Sequence, residues 1–121
     1  IMRVLADGAV PKGDALAVAR IAGISAVKKC PDLLPLAHPL RVDGVVVDLE
    51  VVEGGVEITS RVRATDRTGV EMEALTAVTV AALALVDMVK GVDRGVAVRE
   101  GVVTAKSGGR SGTWVRPEEE K

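Results

Sequence analysis

Four ionisable side chains stand at the two ends of one long apolar run, RTGVEMEALTAVTVAALALVDMVKG over residues 67–91, with Glu71 and Glu73 near its start and Asp87 and Lys90 near its end. A helix of this composition is expected to be buried along most of its length, so charges placed on it call for a chemical reason. Asp87 follows an almost unbroken apolar stretch and sits in the last turns, where the helix field disfavours an anion. Lys90, three positions on, shares its side of the helix and can neutralise it. The pattern admits a structural ion pair and also a buried acid–lysine couple whose proton affinities are displaced far enough for transfer near neutral pH.

Glu71 has a second reading, because Thr68 and Glu71 have the spacing of a capping box. Glu73 is two positions further on, about 200° around a helix, so the two carboxylates address different walls of a pocket or different partners. Between Glu73 and Asp87 the helix rises about 21 Å. These groups therefore do not meet in one small pocket of a single straight helix. Either there are two sites, or the end of one subunit's helix meets the start of another's across an interface.

Outside this run, His38 lies in PDLLPLAHPL, residues 31–40, between Ala37 and Pro39. The prolines make that connection stiff, and histidine is the side chain that ordinarily titrates near neutrality. No second histidine or cysteine pattern joins it as a metal site. Lys12, in PKGD, precedes the first helix near an N-terminus that favours anions. Arg20, Lys28 and Lys29 are read as a solvated helix face. The strip Lys106-Ser107-Gly108-Gly109-Arg110-Ser111-Gly112 offers two cations and accessible backbone donors to a phosphate, without the GxxxxGK order of a Walker loop. A flexible tail is its competing reading.

The elements that must position these groups follow from periodicity and turn signals. Asp14 to Lys28 has helical spacing through Leu16, Ala19, Ala22, Gly23, Ala26 and Val27, with Asp14 as its acidic cap. Gly23, a poor helix former, implies close packing against another element. Val42 to Val52 and Val56 to Thr65 read as a hairpin about Glu53-Gly54-Gly55, a helix runs from near Thr68 to Lys90 before Gly91, and residues 95–105 read as a last strand. The order helix, hairpin, helix, strand predicts an α+β fold, a ferredoxin-like split β-α-β sandwich with an antiparallel sheet and two helices on one face. Its opening strand is expected ahead of the chain's start, since MRVLADG begins in mid-pattern.

At 121 residues the chain is expected to form a single domain, 1–121, and its core must come from Val, Ala, Leu and Ile because it has one Trp and no Phe or Tyr. Such small side chains make oligomerisation an inexpensive way to bury more surface. A net charge of −1 supplies no global field for nucleic acid. The strongly apolar stretch 77–86, about 15 Å as a helix, is too short to cross a bilayer, and no basic-then-apolar leader opens the chain. The single Cys30 excludes an intrachain disulfide and reads as a small buried side chain.

PKGDALAVARIAGISAVKK, PDLLPLAHPL, TGVEMEALTAVTVAALALVDMVK and AKSGGRSG, in this order over nearly the whole chain, resemble the molybdenum cofactor biosynthesis protein C family, the cyclic pyranopterin monophosphate synthases. The resemblance implies a cytoplasmic enzyme whose ferredoxin-like subunits form dimers with shared active sites and assemble to a hexamer. It also implies conversion of 3',8-cyclo-7,8-dihydroguanosine 5'-triphosphate to cyclic pyranopterin monophosphate and pyrophosphate, without nucleic acid or membrane. The implied catalytic groups are Asp87, Lys90 and Lys12. Leu36, Ala37, His38, Glu71, Met72, Glu73, Lys106 and Arg110 are implied to bind substrate, with no metal site and with Mg²⁺ compatible with the triphosphate. Ala37 departs from the family where relatives carry cysteine. The alternative is a noncatalytic nucleotide- or phosphate-binding oligomeric module.

Overall fold

The computed structural model describes residues 14–65, 69–108 and 112–117. Lys12, Thr68 and Arg110 lie outside the described residues. Helix α1 spans Ala15–Val27, and the Asp14 carboxylate caps it by accepting from the Ala17 N–H at 3.1 Å. The chain then makes one helical turn, α2 (Cys30–Leu33), where an irregular connection was expected from Pro31 onward. Proline is tolerated in a first turn because its missing N–H has no intrahelical partner there. Irregular backbone follows to the hairpin.

The hairpin is β1 (Val42–Val52) with β2 (Gly55–Ala64), turned at Gly54, whose φ of +80° is the left-handed conformation glycine adopts without a Cβ penalty. Its register sets Val45 opposite Val62, Val47 opposite Ser60, Leu49 opposite Ile58 and Val51 opposite Val56. Alternation puts these residues on one face, and that face meets both long helices. Two polar ties fasten the layers. Arg20 Nε donates to the Val47 carbonyl at 3.0 Å, so Arg20, exposed as expected, also ties α1 to β1, and Ser60 Oγ donates to the Ala74 carbonyl at 2.7 Å.

Helix α3 (Glu71–Val89) packs on α1 and on β2, burying Glu73, Ala77, Ala81, Leu85, Met88 and Val89. At 19 residues with mean hydropathy 1.8 it is longer than the 77–86 core read from the sequence, and by length and composition alone it could cross a membrane. A core helix passes the same test, and this one carries the buried cluster shared with α1 and β1. A Cβ on Gly23 would stand 2.8 Å from the Ala77 carbonyl oxygen and 3.1 Å from the Ala81 Cβ. The close helix–helix approach expected at Gly23 is therefore present.

The strand expected over residues 95–105 does not form. Only Ala105–Lys106 (β3) is extended and paired, with Trp114–Val115 (β4). A strand needs a hydrogen-bonded neighbour, and between β2 and the 95–105 run lies a groove of about 770 Å³, roofed by Leu75, Val78, Ala82 and Val86 of α3. Arg116 secures the β3–β4 pair by lying 5.3 Å from the Trp114 ring centroid and donating from Nε to the Val103 carbonyl at 2.7 Å. The architecture is α+β with antiparallel strands and both long helices on one face of the hairpin, the ferredoxin-like arrangement expected.

Candidate active site

The N-terminal end of α3 gathers most of the chemistry. Its first residue is Glu71 and its cap is Val70, which makes no side-chain capping bond. Glu71 is thus at the first helical position rather than the third, and the capping-box reading does not hold. Its carboxylate instead faces Lys106, with Nζ and Oε1 3.8 Å apart, and lies so close over Gly69 that a Cβ there would meet both oxygens at 2.5 Å. Lys106 also donates to the Gly108 carbonyl at 3.2 Å, so β3 presents a lysine whose position is set by its own turn.

Glu73, one step inward, is 5 % exposed, the one buried charged residue among those described. It lines a cavity of about 180 Å³ walled by Val27, Pro31, Pro39, Leu40 and Val42, with Lys28 at the same wall. Lys28 therefore belongs to the site rather than to a solvated face alone. Behind Glu73 lies Cys30, fully enclosed, whose sulfur accepts from the Thr76 hydroxyl at 3.6 Å. Burial pushes the thiol pKa up; the Thr76 bond opposes this, and the charge and hydrogen bonding of Glu73 reinforce it. Cys30 is accordingly a neutral thiol with one proton to donate.

The proline-rich loop reaches the cavity by its end. After a turn in which the Ala37 N–H donates to the Leu34 carbonyl at 3.1 Å, Pro39 and Leu40 form the cavity wall, while His38 stands exposed beside it and Ala37 is half-buried. Leu36 is 93 % exposed and Met72 46 % exposed.

Asp87 and Lys90 pair at 2.7 Å at the opposite end of α3, with side chains 63 % and 59 % exposed. The expectation that they are buried within the chain is corrected: Leu85, Met88 and Val89 face the core, and Asp87 and Lys90 fall on the outer side of the same turns. The structure thus unites Glu71, Met72, Glu73 and Lys106 near one helix end and leaves Asp87 with Lys90 near the other. Sequence reasoning passed over Thr76 and treated Cys30 as filler. The available signal was Thr76 three residues after Glu73, hence on the same side of the helix. Among the described residues no three His, Cys, Asp or Glu side chains are grouped to hold a metal ion.

Two helices laid on one face of an antiparallel hairpin, with a carboxylate sunk in a small cavity at the head of the longer one, define a ferredoxin-like α+β protein built to receive a small molecule. The chain belongs to the MoaC family, whose profile matches residues 1–109. It is 60 % identical over 116 residues to the cyclic pyranopterin monophosphate synthase of Streptomyces coelicolor, covering 96 % of this chain and 68 % of that protein. The protein of the same name from Nocardioides sp. is 58 % identical over 120 residues, covering 97 % and 74 %. Cyclic pyranopterin monophosphate synthase 2 of Mycobacterium bovis is 56 % identical over 116 residues, covering 96 % and 70 %.

Proposed function

We infer that this chain is a cyclic pyranopterin monophosphate synthase of molybdenum cofactor biosynthesis, a cytoplasmic enzyme that converts 3',8-cyclo-7,8-dihydroguanosine 5'-triphosphate to cyclic pyranopterin monophosphate and pyrophosphate. Besides the family, the observation that carries the reading is Glu73, a carboxylate buried in a cavity with largely apolar walls. An ionised carboxylate only accepts hydrogen bonds, and the guanine-derived ring offers an edge rich in N–H donors. The apolar walls from Pro39, Leu40 and Val42 suit the ring's faces. Leu36, Ala37, His38 and Met72, neighbours in sequence of Pro39 and Glu73, would complete the substrate wall.

Lys106, joined by Arg110 of the same strip, would hold the triphosphate while a sugar hydroxyl attacks the inner phosphorus. That step forms one oxygen–phosphorus bond, breaks the bond to the bridging oxygen, and releases pyrophosphate. Asp87, Lys90 and Lys12 would move protons as the imidazole ring opens and the pyranopterin closes, a rearrangement without redox change. Glu71 orients Lys106 and shares the charge of that end.

With Asp87 about 21 Å of helix rise from Glu73, the reading requires a second copy to bring the two ends together. A homodimer with shared sites, assembling to a hexamer, is the arrangement proposed. The test is to supply the cyclised dihydro-GTP to the purified protein and assay pyrophosphate and pterin together. Formation of both is expected. Neither product from a folded oligomer would replace this reading with that of a phosphate-binding module.

A further inference from the structure

We propose that Cys30 and Thr76 are positioning residues for this site: a hydrogen-bonded chain from the Thr76 hydroxyl to the Cys30 sulfur, and from the Cys30 thiol to the Glu73 carboxylate, fixes that carboxylate at the cavity's inner wall and leaves its outward lone pairs for the substrate ring. The proposal rests on Glu73 being the ring's anchor, as inferred above.

Three features carry it. Cys30 is fully enclosed between α2 and α3, so its thiol has no water to bond and must find partners in the protein. Thr76 supplies its hydroxyl proton to the sulfur, at 3.6 Å, which leaves the thiol's own proton for Glu73, the buried carboxylate on the same side of α3. Glu73 and Thr76 are three residues apart on one side of α3, so a single thiol spans both. Cys30 also precedes Pro31, a residue of the cavity wall, so the same contact seats α2 against the site.

The thiol remains a donor rather than an anion through the working pH range. Burial, opposed by Thr76 and reinforced by Glu73, holds its pKa above the ordinary thiol value. The groups facing this locus are Glu73 and Thr76 from α3 and, across the cavity wall, Lys28 from the end of α1. Lys29 and Asp32, its neighbours in sequence, are exposed. A buried carboxylate deprived of its inner donor loses a charge-assisted bond and the orientation it imposes. That loss should weaken recognition of the ring before it touches the proton-transfer steps made elsewhere.

Because the chain has one cysteine, its S–H stretching band in the infrared reports a single thiol. The first measurement compares that band in the wild-type protein, Glu73→Gln and Thr76→Val. Glu73→Gln replaces a charged acceptor by a weaker neutral one and should move the band to higher frequency, with Thr76→Val moving it the same way. The second measures turnover of the cyclised dihydro-GTP. Cys30→Ala should raise KM about tenfold with a smaller change in kcat, and Cys30→Ser, which keeps a one-proton donor, should restore KM. An unmoved band in Glu73→Gln, with that variant impaired in catalysis, would overturn the positioning chain and leave the site intact. A shifted band with wild-type KM in Cys30→Ala would equally overturn it. Wild-type kinetics in Glu73→Gln would remove Glu73 from the site, and the positioning role with it.

Discussion

Gly23→Ala sets two opposing effects of known size against each other. In an exposed helix interior the change stabilises by about 1 kcal/mol, because alanine loses less backbone freedom on folding. Here the new methyl carbon would stand 2.8 Å from the Ala77 carbonyl oxygen and 3.1 Å from the Ala81 Cβ, against an ordinary contact distance of at least about 3.4 Å. The first neighbour is helix backbone and the second a methyl fixed to it, so neither can swing aside. α1 and α3 must then separate by several tenths of an ångström. Overpacking of this kind costs about 1–3 kcal/mol, so the net effect is destabilisation of about 1 kcal/mol. For 121 residues that lowers Tm by about 4 °C. Thermal unfolding followed by circular dichroism checks it. A Tm raised by several degrees, the outcome propensity alone gives, would refute the claim that Gly23 is present for close approach. Substrate affinity should fall as well, since α1 ends in the Val27 and Lys28 of the cavity wall and Ala77 is one turn beyond Glu73.

Asp87→Asn should lower turnover at least about 100-fold while calorimetric binding of substrate is retained, because an amide keeps the shape and cannot carry the proton; unchanged turnover would remove Asp87 from the mechanism. Lys106→Met should raise KM for the cyclised triphosphate about tenfold and flatten its dependence on salt, with little change in Tm, since the Glu71 partner is 3.8 Å away and partly exposed. Cys30 makes stability pH-dependent in a defined direction. Its folded pKa is raised, so above the ordinary thiol pKa of about 8.5 the folded chain holds a proton the unfolded chain has lost, and stability falls as pH rises. Between pH 8 and 10 the wild type should lose urea resistance relative to Cys30→Ser, whose hydroxyl does not titrate in that range; parallel curves would contradict the shift.

Local chemistry made much of the scaffold legible. The Asp14 cap, the glycine turn of the hairpin and the alternation from Val45 to Val51 each specify their element within a few residues, because neighbours in sequence decide them. Reasoning failed where the deciding partner is distant. Residues 95–103 have strand composition and no strand paired with them, so their extended preference is not converted into a strand. Glu71 has the spacing of a capping residue, yet the helix starts later than the pattern suggests and Lys106, 35 positions on, faces the carboxylate. Arg20 and Lys28 are surface charges, as one dimension suggests, but each has a second role that it does not show. Only the packing of α1 on β1 and on the loop turns one into a strut and the other into part of a cavity wall.

Asp87 and Lys90 are the groups on which the proposed second copy would act most. Exposed to water, an ion pair at 2.7 Å is strongly screened and contributes little to stability. The same pair covered by a second surface would keep its charges in a medium of lower polarity, where proton affinities can be displaced and where a developing charge is felt. The outer side of α3 has the composition such a cover would require. Leu83, 57 % exposed, lies one turn before Asp87, and Met72 is exposed at the helix's other end, so apolar side chains flank the charged groups on a helix otherwise used to build the core. On the proposed dimer the apolar character of α3 would have two causes. One side holds the protomer together; the other would meet the second copy and complete, around Asp87 and Lys90, the water-poor setting their proposed chemistry needs.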